Sequence, residues 1–376
     1  MTTEVLTYEP DYVSLPGETL AEVLEDRGLS QAEFARRTGL SKKTINEIVQ
    51  GKTPITSESA IKFEMVLGIA AAFWLKREAD YQANRARHQH DEHLAHYGTW
   101  LQQFPIKAMI NAAYIAPLSE THLLVRAVLS FFRIAHPDQF EPAISSVMQR
   151  RVQRLTSDQG ALSAWLQRGI ELAEAIEYTP FAADQFKQAL QEARDLTTQP
   201  FDVVRQQLTA LCQRAGVAVV ILPELPHTRI CGIARWLPND KPLIQLSIRY
   251  QTNDQFWFTF FHEAAHILLH RRRNLFIDEE LSVVETETDE EREANDFARD
   301  LLIPPVAWQT LIEQINGQHI SGAIVEQFAQ AIGIAPGIVV GRLQHAQLLP
   351  ASHLNKLKEK LRFASTPDQV SSAPLQ

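Results

Sequence analysis

Residues 258–270, FTFFHEAAHILLH, constrain this chain more than any other stretch. The run contains no Gly or Pro, and Phe258, Phe261, Ala265 and Leu269 recur at helical spacing, which predicts a buried helix. His262, Glu263 and His266 are the polar residues such a helix would carry inside. A spacing of four puts both imidazoles on one face, a turn apart, where they can meet one ion. Imidazole nitrogen suits zinc, which in catalytic sites keeps a position open. Glu263 sits beside the first His, where it can reach an attacking water rather than the metal, the place of a general base. His270 continues the spacing, but eight residues rise about 12 Å, too far for shared bonds of ~2 Å. It is read as a packing residue or a support for a ligand.

A third ligand is needed, and DEEREANDFARDLL, residues 289–302, is the helix that offers one before Pro304-Pro305 stops it. Its acids are Asp289, Glu290, Glu291, Glu293, Asp296 and Asp300. Glu293 shares a face with Phe297 and Leu301, and that side is expected to pack on the histidine helix. Glu290 lies nearer the helix start, and Glu291 is expected to point away. The expected metal ligands are therefore His262, His266 and Glu293, with Asn295 or Asp296 as hydrogen-bonding support. The group that polarises a scissile carbonyl stays open among Tyr250, Arg342 and His345.

Composition narrows the setting. A chain of 376 residues with 45% apolar and 22% charged residues can build two or three ordinary cores. No run of 18 apolar residues exists, and the opening MTTEVLTYEPDYVSLPGE lacks the basic-then-apolar pattern of a signal peptide. With only Cys212 and Cys231, no disulfide framework or CxxC metal site is expected, and the cytoplasm is the simplest compartment. The net charge of −9 argues against a general nucleic-acid binder, yet it hides a local asymmetry. Residues 36–52 hold Arg36, Arg37, Lys42, Lys43 and Lys52 against Glu47 alone. Residues 278–293 are acidic, with Arg292 as their one cation.

The basic stretch lies inside LSQAEFARRTGLSKKTINEIVQGKTPIT. Ser30 can cap a helix with Phe34 and Ala35 inside, Gly39 supplies a tight turn, and Ser41 can cap a second helix with Ile45 and Ile48 inside. A helix from Pro16 precedes them, and helices near 57–68 and 71–87 complete a five-helix domain. RARHQHDEHLAHYG then reads as a helix end or linker, with His88, His90, His93 and His96 solvated rather than metal-bound. Residues 97–210 are helical in pattern. From Gly216 the texture changes: VAVVIL, ICGIARW and LIQLSI read as strands, and LFIDEELSVV as an edge strand. Two helices, 321–332 and 336–348, follow; their helix-turn-helix texture lacks a basic face, so they read as a packed subdomain. The stretch after about 363 reads as disordered.

Together FHEAAHILLH and EREANDFARDLLIP resemble the ImmA/IrrE family of zinc-dependent metallopeptidases over roughly residues 200–350. The resemblance implies a gluzincin arrangement in which His262, His266 and Glu293 bind zinc and Glu263 is catalytic. It also implies a protein substrate, since such proteins are associated with cleaving helix-turn-helix repressors. PGETLAEVLEDRGLSQAEFARRTGLSKKTINEIVQGKTPIT, with FWLKREADYQ after it, resembles the XRE-type and HigA-like repressors over about residues 14–85. That implies a double-stranded DNA operator, with the helix from Ser41 in the major groove. Gln31, Ser41, Lys42, Lys43, Thr44, Asn46 and Lys52 are the expected DNA contacts, and a homodimer on a palindrome is expected.

The expected fold is mainly α with a small α+β domain. Residues 1–90 form a five-helix helix-turn-helix domain, 91–205 a helical connector, 206–350 a zincin-like (gluzincin) domain with a short mixed sheet, and 351–376 a helix end and disordered tail. The expected function is a DNA-binding regulator with a zinc endopeptidase that cleaves a repressor, a toxin or the chain itself. The alternative is a non-cleaving antitoxin-like repressor whose zinc domain senses or holds a partner. No membrane partner is expected.

Overall fold

Serines and glycines at predictable places set the helix boundaries of the N-terminal unit. The computed structural model describes residues 14–141, 158–177, 179–270, 276–279 and 288–363; the stretch expected to be disordered after about 363 lies outside them. Helix α1 spans Pro16–Asp26, α2 Gln31–Thr38 and α3 Lys42–Val49. Ser30 Oγ accepts from Glu33 N at 3.2 Å and Ser41 Oγ from Thr44 N at 3.0 Å, satisfying orphan amides at each start. Between them Gly39 takes φ 69°, the left-handed turn that lets α3 leave at an angle. Helices α4 (Ser57–Leu67) and α5 (Ala71–Leu94) close the bundle. Phe34, Ile45, Ile48, Phe63 and Trp74 form its core, with Phe63 set edge-on to Trp74 at 5.7 Å.

Helix α5 runs past the expected end near 87. RARHQHDEHL contains no helix breaker, so the ladder continues to Leu94. His88, His90 and His93 ride its exposed side, and His96 follows on a 3₁₀ turn.

Contacts divide the chain into two compact units. One ends at Gly98 and takes in Leu118–Arg126; the other comprises Thr99–Pro117 and everything from Ala127. Helices α6 (Ile106–Asn111) and α7 (Thr121–Phe132) lie around this division. In the second unit α8 (Gln159–Ala175), α9 (Ala183–Asp195) and α10 (Phe201–Arg214) lead into the sheet. Strands β1 (Ala218–Ile221), β2 (Ile230–Leu237), β3 (Lys241–Leu246) and β4 (Phe276–Glu279) lie in the order β1-β3-β2-β4. The β1–β3 pair is parallel and the others antiparallel, the expected mixed sheet, with β4 at the expected edge.

Each face of the sheet carries a helix. On one, Ala173 of α8 packs with Ala218, Val220, Leu237 and Leu243. Lys241 Nζ fastens that helix by donating to the carbonyls of Ala173 at 2.5 Å and Ile176 at 2.6 Å. On the other, helix α11 (Asn253–Leu269) buries Phe256, Trp257, Phe260, Phe261 and Ala264 against Ala234, Ile244 and Leu246. Helix α12 (Asp289–Leu302) packs on α11, and α13 (Pro305–Ile315), α14 (Gly322–Ile332) and α15 (Pro336–His345) complete the core.

The segment after α15 does not trail away, as a reading of 351–376 as helix end and tail would have it. Residues 358–361 return to the start of α11. Asn253 N donates to Glu359 O at 3.0 Å, Glu359 N to Asn253 Oδ1 at 3.2 Å, and Leu361 N to Gln251 O at 2.9 Å. Lys358 Nζ meets the buried Asp254 Oδ2 at 2.6 Å. Glycine makes room for this strap: a Cβ on Gly341 would stand 2.6 Å from Asp254 Oδ2, and one on Gly337 2.9 Å from Lys358 Cα. Among the described residues no single helix is long and apolar enough to cross a membrane.

Candidate metal centre and nucleic-acid face

Helix α11 brings the two expected imidazoles together. His262 Nε2 and His266 Nε2 stand 3.0 Å apart, both side chains buried. Glu291 Oε2 completes the group at 3.3 Å from His262 Nε2 and 3.7 Å from His266 Nε2. These are close to the ~3.3 Å edges of a tetrahedron with Zn–N and Zn–O bonds of ~2.0–2.1 Å. Among the described residues this is the one set of three His, Cys or acidic side chains gathered tightly enough to hold an ion.

Surrounding contacts prepare the imidazoles as ligands. Asn295 Oδ1 lies 2.9 Å from His262 Nδ1, and an amide oxygen only accepts, so the proton sits on Nδ1 and Nε2 keeps its lone pair. His270 Nδ1 lies 3.0 Å from His266 Nδ1, and His270 Nε2 lies 3.0 Å from Glu293 Oε2. Burial drives His266 down to about 4, with Glu291 opposing, so its ring is neutral at pH 7. Donor set, spacing and tautomer all fit zinc.

The acid at the pair corrects the expectation. Glu293 was expected there and Glu291 was expected to point away; the helix places them the other way round. Glu293 is 64% exposed and reaches the centre only through His270, whereas Glu291 is 23% exposed and faces the pair. The buried stripe of α12 is Ala294, Ala298 and Leu302, not Phe297 and Leu301, which lie on its flank. Glu291 lies three residues before Ala294 and four before Asn295, on that stripe. Asn295 was a named support candidate, and its choice already implied Glu291, since residues four apart share a face. The other support candidate, Asp296, instead binds Arg299 at 2.5 Å.

Helix α12 is held at both ends. Thr288 Oγ1 accepts from Glu291 N at 3.3 Å, and Asp289, Glu290 and Glu291 lie in the first turn, where the helix dipole favours acids. At its other end Arg194 Nε donates to Leu301 O at 3.0 Å and Leu302 O at 3.1 Å.

Glu263 is fully buried beside His262. Strand β2 comes unusually near it: a Cβ on Gly232 would stand 3.1 Å from Glu263 Cγ and 2.5 Å from Thr259 Cγ2. Of the candidate carbonyl-polarising groups, Tyr250 lies under the Arg249 guanidinium at 5.5 Å and Arg342 stacks on Trp308 at 4.8 Å. His345 is exposed at the end of α15.

In the N-terminal unit Lys42, Lys43 and Asn46 project from α3 into solvent, as does Lys52 beyond it. Ser41 and Thr44 bond to each other across the cap at 2.8 Å, and Gln31 begins α2 half-buried. Two further residues shape this face. Glu33 accepts from Arg36 and from Arg37 Nε, the latter at 2.8 Å, and the two guanidiniums hold its carboxyl below the usual range, Arg37 most. Gln50 Nε2 donates to Asn46 Oδ1 at 3.3 Å, one turn on. Lys43 lies 3.8 Å from Glu47. The patch is thus more neutralised than the tally over residues 36–52 implies, because Glu33 lies just outside that window.

Comparison with known families fits both sites. The helix-turn-helix family profile matches residues 20–74. The profile of the IrrE N-terminal-like domain, a peptidase family, matches residues 212–336. The chain joins an XRE-type helix-turn-helix domain to an IrrE/ImmA-like domain. The helix-turn-helix domain is similar to an uncharacterized HTH-type transcriptional regulator, YddM, of Escherichia coli, at 35% identity over 60 residues. That match takes in 16% of this chain and spans 64% of the relative's length. A candidate antidote protein of a plasmid maintenance system from Nostoc punctiforme is 32% identical, with 21% of this chain and 88% of that one covered and a TM-score of 0.21. An addiction module antidote protein of a HigA family from Coxiella burnetii is 24% identical, with coverage of 24% and 92% and a TM-score of 0.20. The matched span of the IrrE-like profile contains the candidate metal group, His262, His266 and Glu291, together with Glu263.

Proposed function

We propose that the chain is a DNA-binding regulator whose IrrE-like domain is a zinc-dependent endopeptidase. The observation that carries this reading is the convergence of His262 Nε2, His266 Nε2 and Glu291 Oε2 beside the buried Glu263. A purely structural zinc site has no use for a second carboxylate, Glu263, fully buried next to the first histidine. Zinc bound there would supply Lewis acidity, acidifying a water and polarising the scissile carbonyl. Glu263 takes the proton of the attacking water on its carboxylate and passes it to the leaving amine. Asn295 and His270 hold the two imidazoles in register.

The proposed target is a protein: a partner repressor, a toxin, or a second copy of the chain. The N-terminal unit places the peptidase at an operator by laying α3 in the major groove, with Lys42, Lys43 and Asn46 toward the bases and Gln31, Ser41, Thr44 and Lys52 toward phosphates. A homodimer on a palindromic site is the proposed assembly. Tethering both activities raises the effective concentration of peptidase where repressor sits.

Glu263→Gln is the decisive test. The variant is expected to retain zinc by elemental analysis and to lose both the cleavage product and derepression in the cell. Unchanged derepression would favour a non-cleaving repressor whose zinc domain holds a partner. For the DNA face, Lys43→Ala with Asn46→Ala should weaken operator binding in a gel-shift titration and leave zinc content alone.

A further inference from the structure

Because Glu263 is fully buried, the walls around its stem set where its carboxylate stands. One wall is the backbone of β2. A Cβ on Gly232 would stand 3.1 Å from Glu263 Cγ, 2.5 Å from Thr259 Cγ2 and 3.1 Å from Leu246 Cδ2. Carbon atoms in good contact lie about 3.5–4.0 Å apart, so none of the three leaves room for a methyl group. Thr259 is one turn before Glu263 on α11, and Leu246 is the partner of Gly232 across the β2–β3 ladder. The strand thus presents bare backbone to the stem of the proposed general base.

Gly232 has no positive φ, so its dihedral suits any residue, and the close approach is what requires glycine. Two features bring the strand so near. The register of β2 against β4 shifts between Ile230 and Gly232, which makes Cys231 an extra residue, and such a bulge bends its strand. Two positions on, Ala234 is also small and packs in the same core as α11. Thr259 is 4% exposed and Leu246 fully buried, so neither can swing into solvent. A methyl group at position 232 has to push either α11 or the Glu263 side chain aside.

We propose that Gly232 is a positioning residue for the general base: its missing side chain fixes where the Glu263 carboxylate stands beside the two imidazoles. The proposal rests on the peptidase reading of the metal centre.

The test uses zinc-loaded full-length protein and acetohydroxamic acid, a metal-binding probe. Its hydroxyl proton passes to the general base: the probe's O–H bond breaks and a new one forms on the Glu263 carboxylate. Thr259→Ser removes only the methyl at 2.5 Å and keeps the hydroxyl. In that background Gly232→Ala meets Glu263 and Leu246 at 3.1 Å, which asks for shifts of a few tenths of an ångström, so the variant is expected to fold. Without Thr259→Ser, Gly232→Ala is expected to lower the unfolding midpoint. A midpoint that Thr259→Ser does not recover overturns the contact and the role built on it. In the Thr259→Ser background, probe affinity is then measured by calorimetry in a cycle of Gly232→Ala against Glu263→Gln, with zinc content checked by elemental analysis. Glu263→Gln is expected to weaken the probe by about ten-fold or more, the loss of a charge-assisted contact. Gly232→Ala is expected to weaken it about five-fold with Glu263 present and less than about two-fold beside Glu263→Gln, at equal zinc content. A strand that only packs on the helix, or only shapes the metal site, shifts both backgrounds equally. Equal shifts, or none, overturn the role of Gly232 alone. A probe that fails to bind wild type, or binds it and Glu263→Gln alike, overturns the peptidase reading and the role of Gly232 with it.

Discussion

Two carboxylates two positions apart on α12 do different work, because two residues turn a helix by about 200°. Glu291 faces the imidazole pair and Glu293 faces His270. Glu291→Ala should therefore lower zinc affinity by at least ~100-fold in a chelator competition, while Glu293→Ala, which acts at one remove, should cost about ten-fold or less. Asn295→Ala belongs between them. The HEAAH pair was legible because its spacing is local. Choosing among the acids of α12 was not, because the answer depends on which stripe of that helix meets α11, and the small residues Ala294 and Ala298 decide this rather than the larger Phe297 and Leu301. The same holds for Glu33. It sits outside the basic window in sequence but against Arg36 and Arg37 in space. Glu33→Gln should release both arginines toward phosphate, tightening DNA binding at low salt and steepening the log–log salt slope by up to about two contacts at roughly 0.9 each. An unchanged slope would place those arginines off the DNA.

At the scale of elements, local punctuation served well where it existed. Ser30, Gly39 and Ser41 mark the helix-turn-helix, and their capping bonds are the reason. Ser41→Ala should cost about 1 kcal/mol, seen as a lower unfolding midpoint of the N-terminal unit. Helix α5 outran its expected end because polar composition is not a stop signal. The strap at 358–361 left no trace in sequence pattern, since its partners at Gln251–Asp254 lie more than a hundred residues earlier. Its ion pair makes a sharp prediction. Asp254 is 4% exposed and the Lys358 side chain 13%, so Lys358→Met strands a buried carboxylate. Urea unfolding of that variant should show a loss of about 3–5 kcal/mol, and Asp254→Leu added to it should restore much of the loss. Additive losses would mean the pair does not act as a unit.

Across the whole molecule, the two units keep separate hydrophobic cores, one around Phe34, Phe63 and Trp74 and the other around the sheet and α11. The metal group belongs wholly to the second. Chelation of the zinc-loaded protein should therefore lower the melting temperature of one calorimetric transition and leave the other in place. If both transitions move together, the cores are coupled. The broad architecture was readable in advance, because each core announces itself by periodicity, whereas the connector's division between the units depends on contacts that no local pattern encodes.

The returning strap also bears on how such a domain can be inherited. The family match stops at residue 336, yet α11 is anchored by residues out to Leu361. A recombination event that exchanged only the matched span would deliver the ligands without the segment that clasps their helix. The structural module is longer than the matched one, reaching at least to Leu361.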